Sequence, residues 1–176
     1  TPRLSSAASD VYKRQPPTVL DADGLNVLSN NLDIIRSSRR SIVITPHPGE
    51  FATLFGIGVA EVQSDRVALA KMAAVQLNVT CVLKGNQTVV AEPDGRVAIN
   101  STGNPGMATA GMGDVLAGII GGFLAQGYST FEAACIGVWL HGHSGDLAAA
   151  EGSESSLCAS DVIAKLSEAF RSVSPR

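Results

Sequence analysis

From Thr18 onward the chain alternates short, wholly apolar runs with longer stretches of helical character, and each run breaks off into prolines, glycines or acids. "TVLDADGLNVL" reads as strand, loop and helix start. "SIVITPHPGEFATLFG" repeats the form: Ile42 to Ile44 make a buried strand, Pro46 and Pro48 force an extended turn, and a short helix follows. "SDRVALAKMAAVQLN" is helical, with Ser64 as its N-cap and Val67, Leu69, Ala70, Ala74 and Leu77 toward a sheet. "VTCVLKG" is a further buried strand, and "QTVVAEPDGRVAIN" a hairpin turning at Pro93, Asp94 and Gly95. Strands that are apolar throughout need cover on both faces. The alternation therefore predicts an α/β fold with a mostly parallel central sheet and helices on both faces.

The last third is helical. Asp114 to Leu124 should bury Val115, Leu116, Ile119, Ile120 and Phe123. Ser129 and Glu132 form a capping box that opens a long helix, and a final helix runs from about Asp161 to Phe170 behind Ser160. Residues 1–15, "TPRLSSAASDVYKRQ", have no such pattern and lack the apolar core of a signal peptide. They read as translated adapter sequence joined to a truncated gene, the alternative being a native disordered tail. Residues 16–176 carry the fold as one domain.

Composition closes off other classes. With 45% hydrophobic and 16% charged residues, the chain has enough apolar material for a real core. A net charge of −3 supplies no basic field, so nucleic acid is not expected as a partner. No apolar run reaches membrane-spanning length, since Gly118, Gly121 and Gly122 break the richest one. Cys81, Cys135 and Cys158 lie in apolar segments without CxxC spacing and read as reduced core residues of a cytoplasmic protein.

In such sheets ligands gather beyond the carboxyl ends of the strands, where loops run into helix N-termini. The loops at 21–24, 45–50, 84–88 and 103–114 all have that position. The last, "GNPGMATAGMGDVLAG", is dense in glycine and leads directly into a helix whose first N–H groups have no intrahelical partner. Bare amides at a positive helix end suit the oxygens of a transferring phosphoryl group, and Asp114 is placed to take a proton from an attacking hydroxyl. Taken alone, Asp114 is equally a helix-start acid. Lys84, ending a strand beside Gly85, fits a phosphate-reaching lysine or an exposed strand-end lysine. His47, pinned between two prolines, favours a functional role over a core one. Glu50 could simply start a helix, and Asp21 and Asp23 could be turn and cap residues. His141 and His143 fall inside a helix and read as packing or surface residues, not as metal ligands.

Five motifs in order, "LDADGLNVL", "TPHPGE", "VLKGNQT", "GNPGMATAGMGDVLAG" and "LHGHSGDLAA", resemble those of the ADP- or ATP-dependent NAD(P)H-hydrate dehydratases of the ribokinase-like superfamily. The resemblance runs from Thr18 to the last helix and covers the C-terminal two-thirds of such a domain, leaving the fold incomplete at the N-terminus. It implies that His47 contacts the hydrate substrate and that Lys84, Gly85, Asn86, Gln87 and Thr88 bind the nucleotide's phosphate and ribose region. It likewise implies that Gly113 binds nucleotide and that Asp114 serves at the substrate hydroxyl. Glu50 matches a glutamate that organises Mg²⁺ through water in related kinases, although no residue is assigned as a direct metal ligand. The implied reaction is dehydration of the S epimer of NADHX or NADPHX to NADH or NADPH, with ADP or ATP consumed, by a homo-oligomer. Two departures stand out: Met112 replaces a hydroxyl residue, and His47 stands where related kinases have Asn. The alternatives are a thiazole or pyrimidine alcohol kinase of the same fold and an inactive nucleotide-binding fragment.

Overall fold

A computed structural model describes residues 16–173. The expectation for residues 1–15 lies outside the described residues. Among those described, one five-stranded sheet has the order β1 (Thr18–Leu20), β2 (Ile42–Ile44), β3 (Thr80–Leu83), β4 (Val89–Ala91) and β5 (Val97–Ile99). The β1–β2 and β2–β3 pairings are parallel, and the β3–β4 and β4–β5 pairings antiparallel. Parallel character is thus confined to β1–β3, and the hairpin read from the sequence supplies the antiparallel half.

Helices cover both faces, as the apolar strands require. Side chains alternate along each strand, so Ile42 and Ile44 point one way and Val43 the other. The first face packs against α1 (Asp23–Leu28), α2 (Asp33–Arg36), α3 (Pro48–Phe55), α4 (Val59–Ser64) and α5 (Arg66–Leu77). The opposite face carries Val43, Val82 and Val90 under α6 (Met112–Ala125), α7 (Thr130–Glu151) and α8 (Ala159–Val173). Gly137 of α7 lets the backbone approach Ile120 of α6, where a Cβ would stand 2.6 Å from Ile120 Cγ1.

Side chains cap the starts of α3, α5 and α7. Ser129 and Glu132 make the capping box at the start of α7. At α5, however, Asp65 is the N-cap, its carboxylate accepting from the Ala68 N–H at 2.9 Å, while Ser64 ends α4. Val67 is turned to solvent, and Ala73 takes its place in the core. The final helix starts earlier than Ser160 suggests, because the Asp161 carboxylate reaches back to the Cys158 N–H at 2.9 Å. Cys158 is therefore exposed at a helix start, not in the core, whereas Cys81 is buried. In α6, Leu116, Ile120 and Phe123 are buried as expected, while Val115 and Ile119 are only partly so. No helix among the described residues is long and apolar enough to cross a membrane.

Candidate active site

Because β1, β2 and β3 run parallel, their carboxyl ends lie together, and the residues that follow them meet there. These are Asp21, the Thr45–His47 turn and Lys84. The ladder extends one step into the loops through the Thr45 N–H on Leu20 O at 3.1 Å and the Lys84 N–H on Pro46 O at 2.9 Å. β5 ends at the same edge, so residues 100–104 join the group.

His47 is the N-cap of α3. Its Nδ1 accepts from the Gly49 N–H at 2.9 Å and the Glu50 N–H at 3.2 Å, and Glu50 Oε2 accepts from the His47 N–H at 2.6 Å. The histidine thus performs a structural task that its position between two prolines did not announce, and its ring is still half exposed. Glu50 links it to the next group: Oε1 lies 3.5 Å from His47 Nε2, and Oε2 lies 3.5 Å from Lys84 Nζ. Lys84 Nζ also donates to Asp21 Oδ1 at 2.8 Å.

Gly111 precedes α6 with φ of 84°, a conformation that suits glycine and delivers the open N–H groups of Met112, Gly113 and Asp114. Gly113 is pressed against the charged group, since a Cβ there would lie 3.3 Å from both Asp21 Oδ2 and Lys84 Nζ. Asp114 sits in the first turn and is exposed. The Met112 side chain turns into a small core with Leu157 and Val162, so its thioether fills space that a hydroxyl residue would leave unfilled.

A cavity of about 500 Å³ opens between this helix start and the hairpin. Lys84, Gly85, Asn86, Gln87 and Thr88 form one wall and Gly113 part of another, so the six residues that the resemblance assigns to nucleotide come together. Asp114 and His47 do not line it. They stand beside it, Asp114 through Gly113 and His47 through Glu50.

Four contributors were not legible beforehand. Arg66, at the start of α5, spreads its guanidinium over the 84–88 loop, donating to the carbonyls of Asn86, of Gln87 at 2.9 Å and of Leu83 at 3.4 Å. It steadies a loop containing Gly85 at φ 140° and Gln87 at φ 56°. Asp146 of α7 accepts from the Gly103 N–H at 2.9 Å and from Asn104 Nδ2 at 3.0 Å, clamping the glycine-rich loop to the helix. Thr102 adds a bond to Trp139 O at 2.9 Å and packs on Gly142. The first half of the glycine stretch is therefore a strap, and only the second half presents open amides at a helix start. His141, read as packing or surface, lines the cavity. Burial pushes it down to about 4, the Lys84 ammonium acts in the same direction and hydrogen bonding to the Met112 backbone opposes, so it is neutral at pH 7. His143 stacks on Trp139, in keeping with a packing role.

The family model for NAD(P)H-hydrate dehydratase matches residues 1–168. The chain belongs to the NAD(P)H-hydrate dehydratase family. Among its relatives is the ADP-dependent (S)-NAD(P)H-hydrate dehydratase of Neisseria meningitidis serogroup B, 50% identical over 133 residues, which are 74% of this chain and 45% of that protein. The ADP/ATP-dependent NAD(P)H-hydrate dehydratase of Bacillus subtilis, crystallised with ATP and Mg²⁺, superposes with a TM-score of 0.83 at 36% identity, covering 94% of this chain and 58% of the other. A ribokinase-like superfamily protein of Enterococcus faecalis gives 0.74 at 29% identity, covering 98% and 61%. The fold is thus ribokinase-like, and the chain spans less than half of the Neisseria relative and about three-fifths of the solved ones.

Proposed function

We propose that the chain carries the nucleotide-binding and phosphoryl-transfer centre of an ADP- or ATP-dependent dehydratase acting on the S epimer of NADHX and NADPHX, an enzyme of nicotinamide nucleotide repair. The observation that carries this reading is the shared cavity: the Lys84–Thr88 loop and Gly113 of the α6 N-terminus face one space of about 500 Å³. Phosphates lie at the polar end, near Lys84 and the open amides, while Met107, Leu116 and Val138 give the base an apolar wall.

Asp114, in the first turn of α6, takes the proton of the ring hydroxyl as it attacks the terminal phosphorus. The amides of 112 to 114 stabilise the charge that gathers on the transferring group. The phosphorylated ring then expels phosphate and loses a ring proton, which restores the double bond of NADH or NADPH. Phosphate is a far better leaving group than hydroxide, and this explains why a dehydration consumes a nucleotide. His47 contacts the hydrated nicotinamide.

Among the described residues no group of three His, Cys, Asp or Glu side chains could hold a metal ion. The family resemblance implies Mg²⁺ carried mainly by the nucleotide's phosphates and its own waters, and Glu50, beside Lys84, is the carboxylate that would face it through water. The ion would neutralise phosphate charge. The cysteines, all free, suit a reducing cytoplasm, and assembly as a homo-oligomer follows the family resemblance.

The test is recovery of NADPH from its hydrate with ADP or ATP, followed by absorbance, in the parent and in Asp114→Asn. Turnover should fall at least about a hundredfold in the variant while nucleotide affinity is kept. Equal rates would remove Asp114 from the mechanism. Phosphorylation of a thiazole or pyrimidine alcohol without NADPH recovery would replace the dehydratase with a kinase.

A further inference from the structure

Lysine has three N–H donors and no acceptor, so what surrounds the ammonium decides where each hydrogen points. Around Lys84, one direction is taken by the hydrogen bond to Asp21 Oδ1 at 2.8 Å, and Glu50 Oε2 lies 3.5 Å from Nζ as an ion-pair partner. All three side chains are withdrawn from solvent, with exposures of 18% for Lys84, 13% for Asp21 and 10% for Glu50. Nζ also sits against Gly113, and Lys84 forms part of the cavity wall. This is not the arrangement that maximises attraction for an anion. Two carboxylates on one ammonium leave the group with a net charge of about −1, beside the place where phosphates should bind.

Asp21 is delivered to this position by an unusual turn. Ala22, the next residue, has φ of 46° and ψ of −120°, which a residue with a side chain adopts only when its surroundings hold it there. The turn is closed by the Gly24 N–H on Asp21 O at 3.0 Å.

We propose that Asp21 is a positioning residue that, with Glu50 as a second ion-pair partner, fixes the Lys84 ammonium so that its unbonded N–H groups face the transferring phosphoryl group at the α6 N-terminus, giving up ground-state nucleotide affinity for orientation. The proposal rests on the assignment of Lys84 to the nucleotide. Its chemistry follows from differential binding. A free lysine follows the phosphate wherever it rests and binds ground and transition states alike, which does not raise turnover. A lysine held by Asp21 waits where charge develops.

Asp21→Asn keeps the size of the side chain and an oxygen for Lys84 but removes the charge. It should bind ADP about two- to tenfold more tightly, since a negative charge near the phosphates is gone. Turnover in the NADPH-recovery assay should nonetheless drop at least about tenfold. Asp21→Glu should restore parental affinity and part of the turnover. A merely structural role predicts the opposite split, with weaker binding and slower turnover together. The proposal fails if Asp21→Asn binds ADP more weakly by calorimetry or turns over at the parental rate.

A measurement on the unmutated chain guards against misfolded variants. The ¹H–¹⁵N resonance of the Lys84 ammonium, assigned by its loss in Lys84→Ala, should be resolved and should shift on adding ADP. An ammonium exchanging too fast to detect would also overturn the proposal. The assignment on which it rests has a separate readout: if Lys84→Ala leaves ADP affinity unchanged, Lys84 is not a nucleotide ligand, whatever Asp21→Asn does. Binding and resonance measurements decide without turnover.

Discussion

Replacing His141 by asparagine should flatten the dependence of stability on pH below neutrality. In the folded chain burial lowers this histidine from 6.5 to about 4. At about 1.4 kcal/mol per pH unit, that difference corresponds to roughly 3 kcal/mol. Its sign follows from proton binding. Between those two values the unfolded chain takes up a proton that the folded chain refuses, so acidification favours unfolding. The contribution is fully present above pH 6.5 and is lost as the pH falls toward 4. By pH 5 the loss attributable to His141 alone should be roughly 2 kcal/mol. Asparagine can retain a donor toward the Met112 backbone but cannot take up the proton. Urea unfolding of parent and variant at about pH 7.5 and pH 5 isolates the effect, because carboxylates and other histidines contribute equally to both proteins. The variant starts lower, since asparagine leaves part of the buried imidazole's volume unfilled, but its loss between the two pH values should be smaller by that amount. Losses agreeing within about 0.5 kcal/mol would show that His141 is solvated or already charged in the folded chain.

The other predictions concern the cap, the strap and the helix contacts. His47→Ala should destabilise the chain by about 1 kcal/mol through loss of the α3 cap, and should raise the KM for NADPH hydrate about two- to tenfold. His47→Asn keeps a capping side chain, so stability should recover while the KM stays high; recovery of both would confine His47 to capping. Gly142→Ala places a Cβ 2.3 Å from Thr102 Oγ1 and 2.7 Å from its backbone carbon, and should cost about 2 kcal/mol or more by urea unfolding. Gly118→Ala meets nothing within 4 Å on an exposed face of α6 and should stabilise by about 0.5–1 kcal/mol. Asp146→Ala removes two bonds that hold residues 103 and 104. It should speed amide exchange in the 103–107 segment and weaken ADP binding, and unchanged exchange there would deny it the clamping role.

Patterns set by nearest neighbours in sequence were legible, and those set across the fold were not. Wholly apolar strands announced a sheet covered twice, and Pro93-Asp94-Gly95 announced a hairpin, because both rest on local rules. The exchange of Ser64 for Asp65 as cap shows the grain of such rules: the two residue types are nearly equivalent caps, and only the backbone of Asp65 has the required bend. Arg66 and Asp146 look like ordinary helix charges in sequence. Their partners are loop carbonyls and amides about 20 and 43 residues away, which no periodicity encodes. The place of His141 beside the cavity was hidden for a related reason. Its helix was correctly placed, but which side of that helix faces a cavity depends on how α6 and the strap pack against it.

The cap on α3 determines what His47 can offer a ligand. A ring nitrogen that accepts two N–H groups carries no hydrogen of its own, so in the neutral imidazole the hydrogen belongs to Nε2. The Nε2 edge, half exposed and 3.5 Å from Glu50 Oε1, is then a donor. It can recognise a carbonyl, hydroxyl or phosphate oxygen, but it cannot receive a proton from a substrate without first surrendering its own. On the proposed function, proton abstraction at this end of the sheet then falls to carboxylates such as Asp114, and the histidine serves as a fixed reader of acceptor atoms.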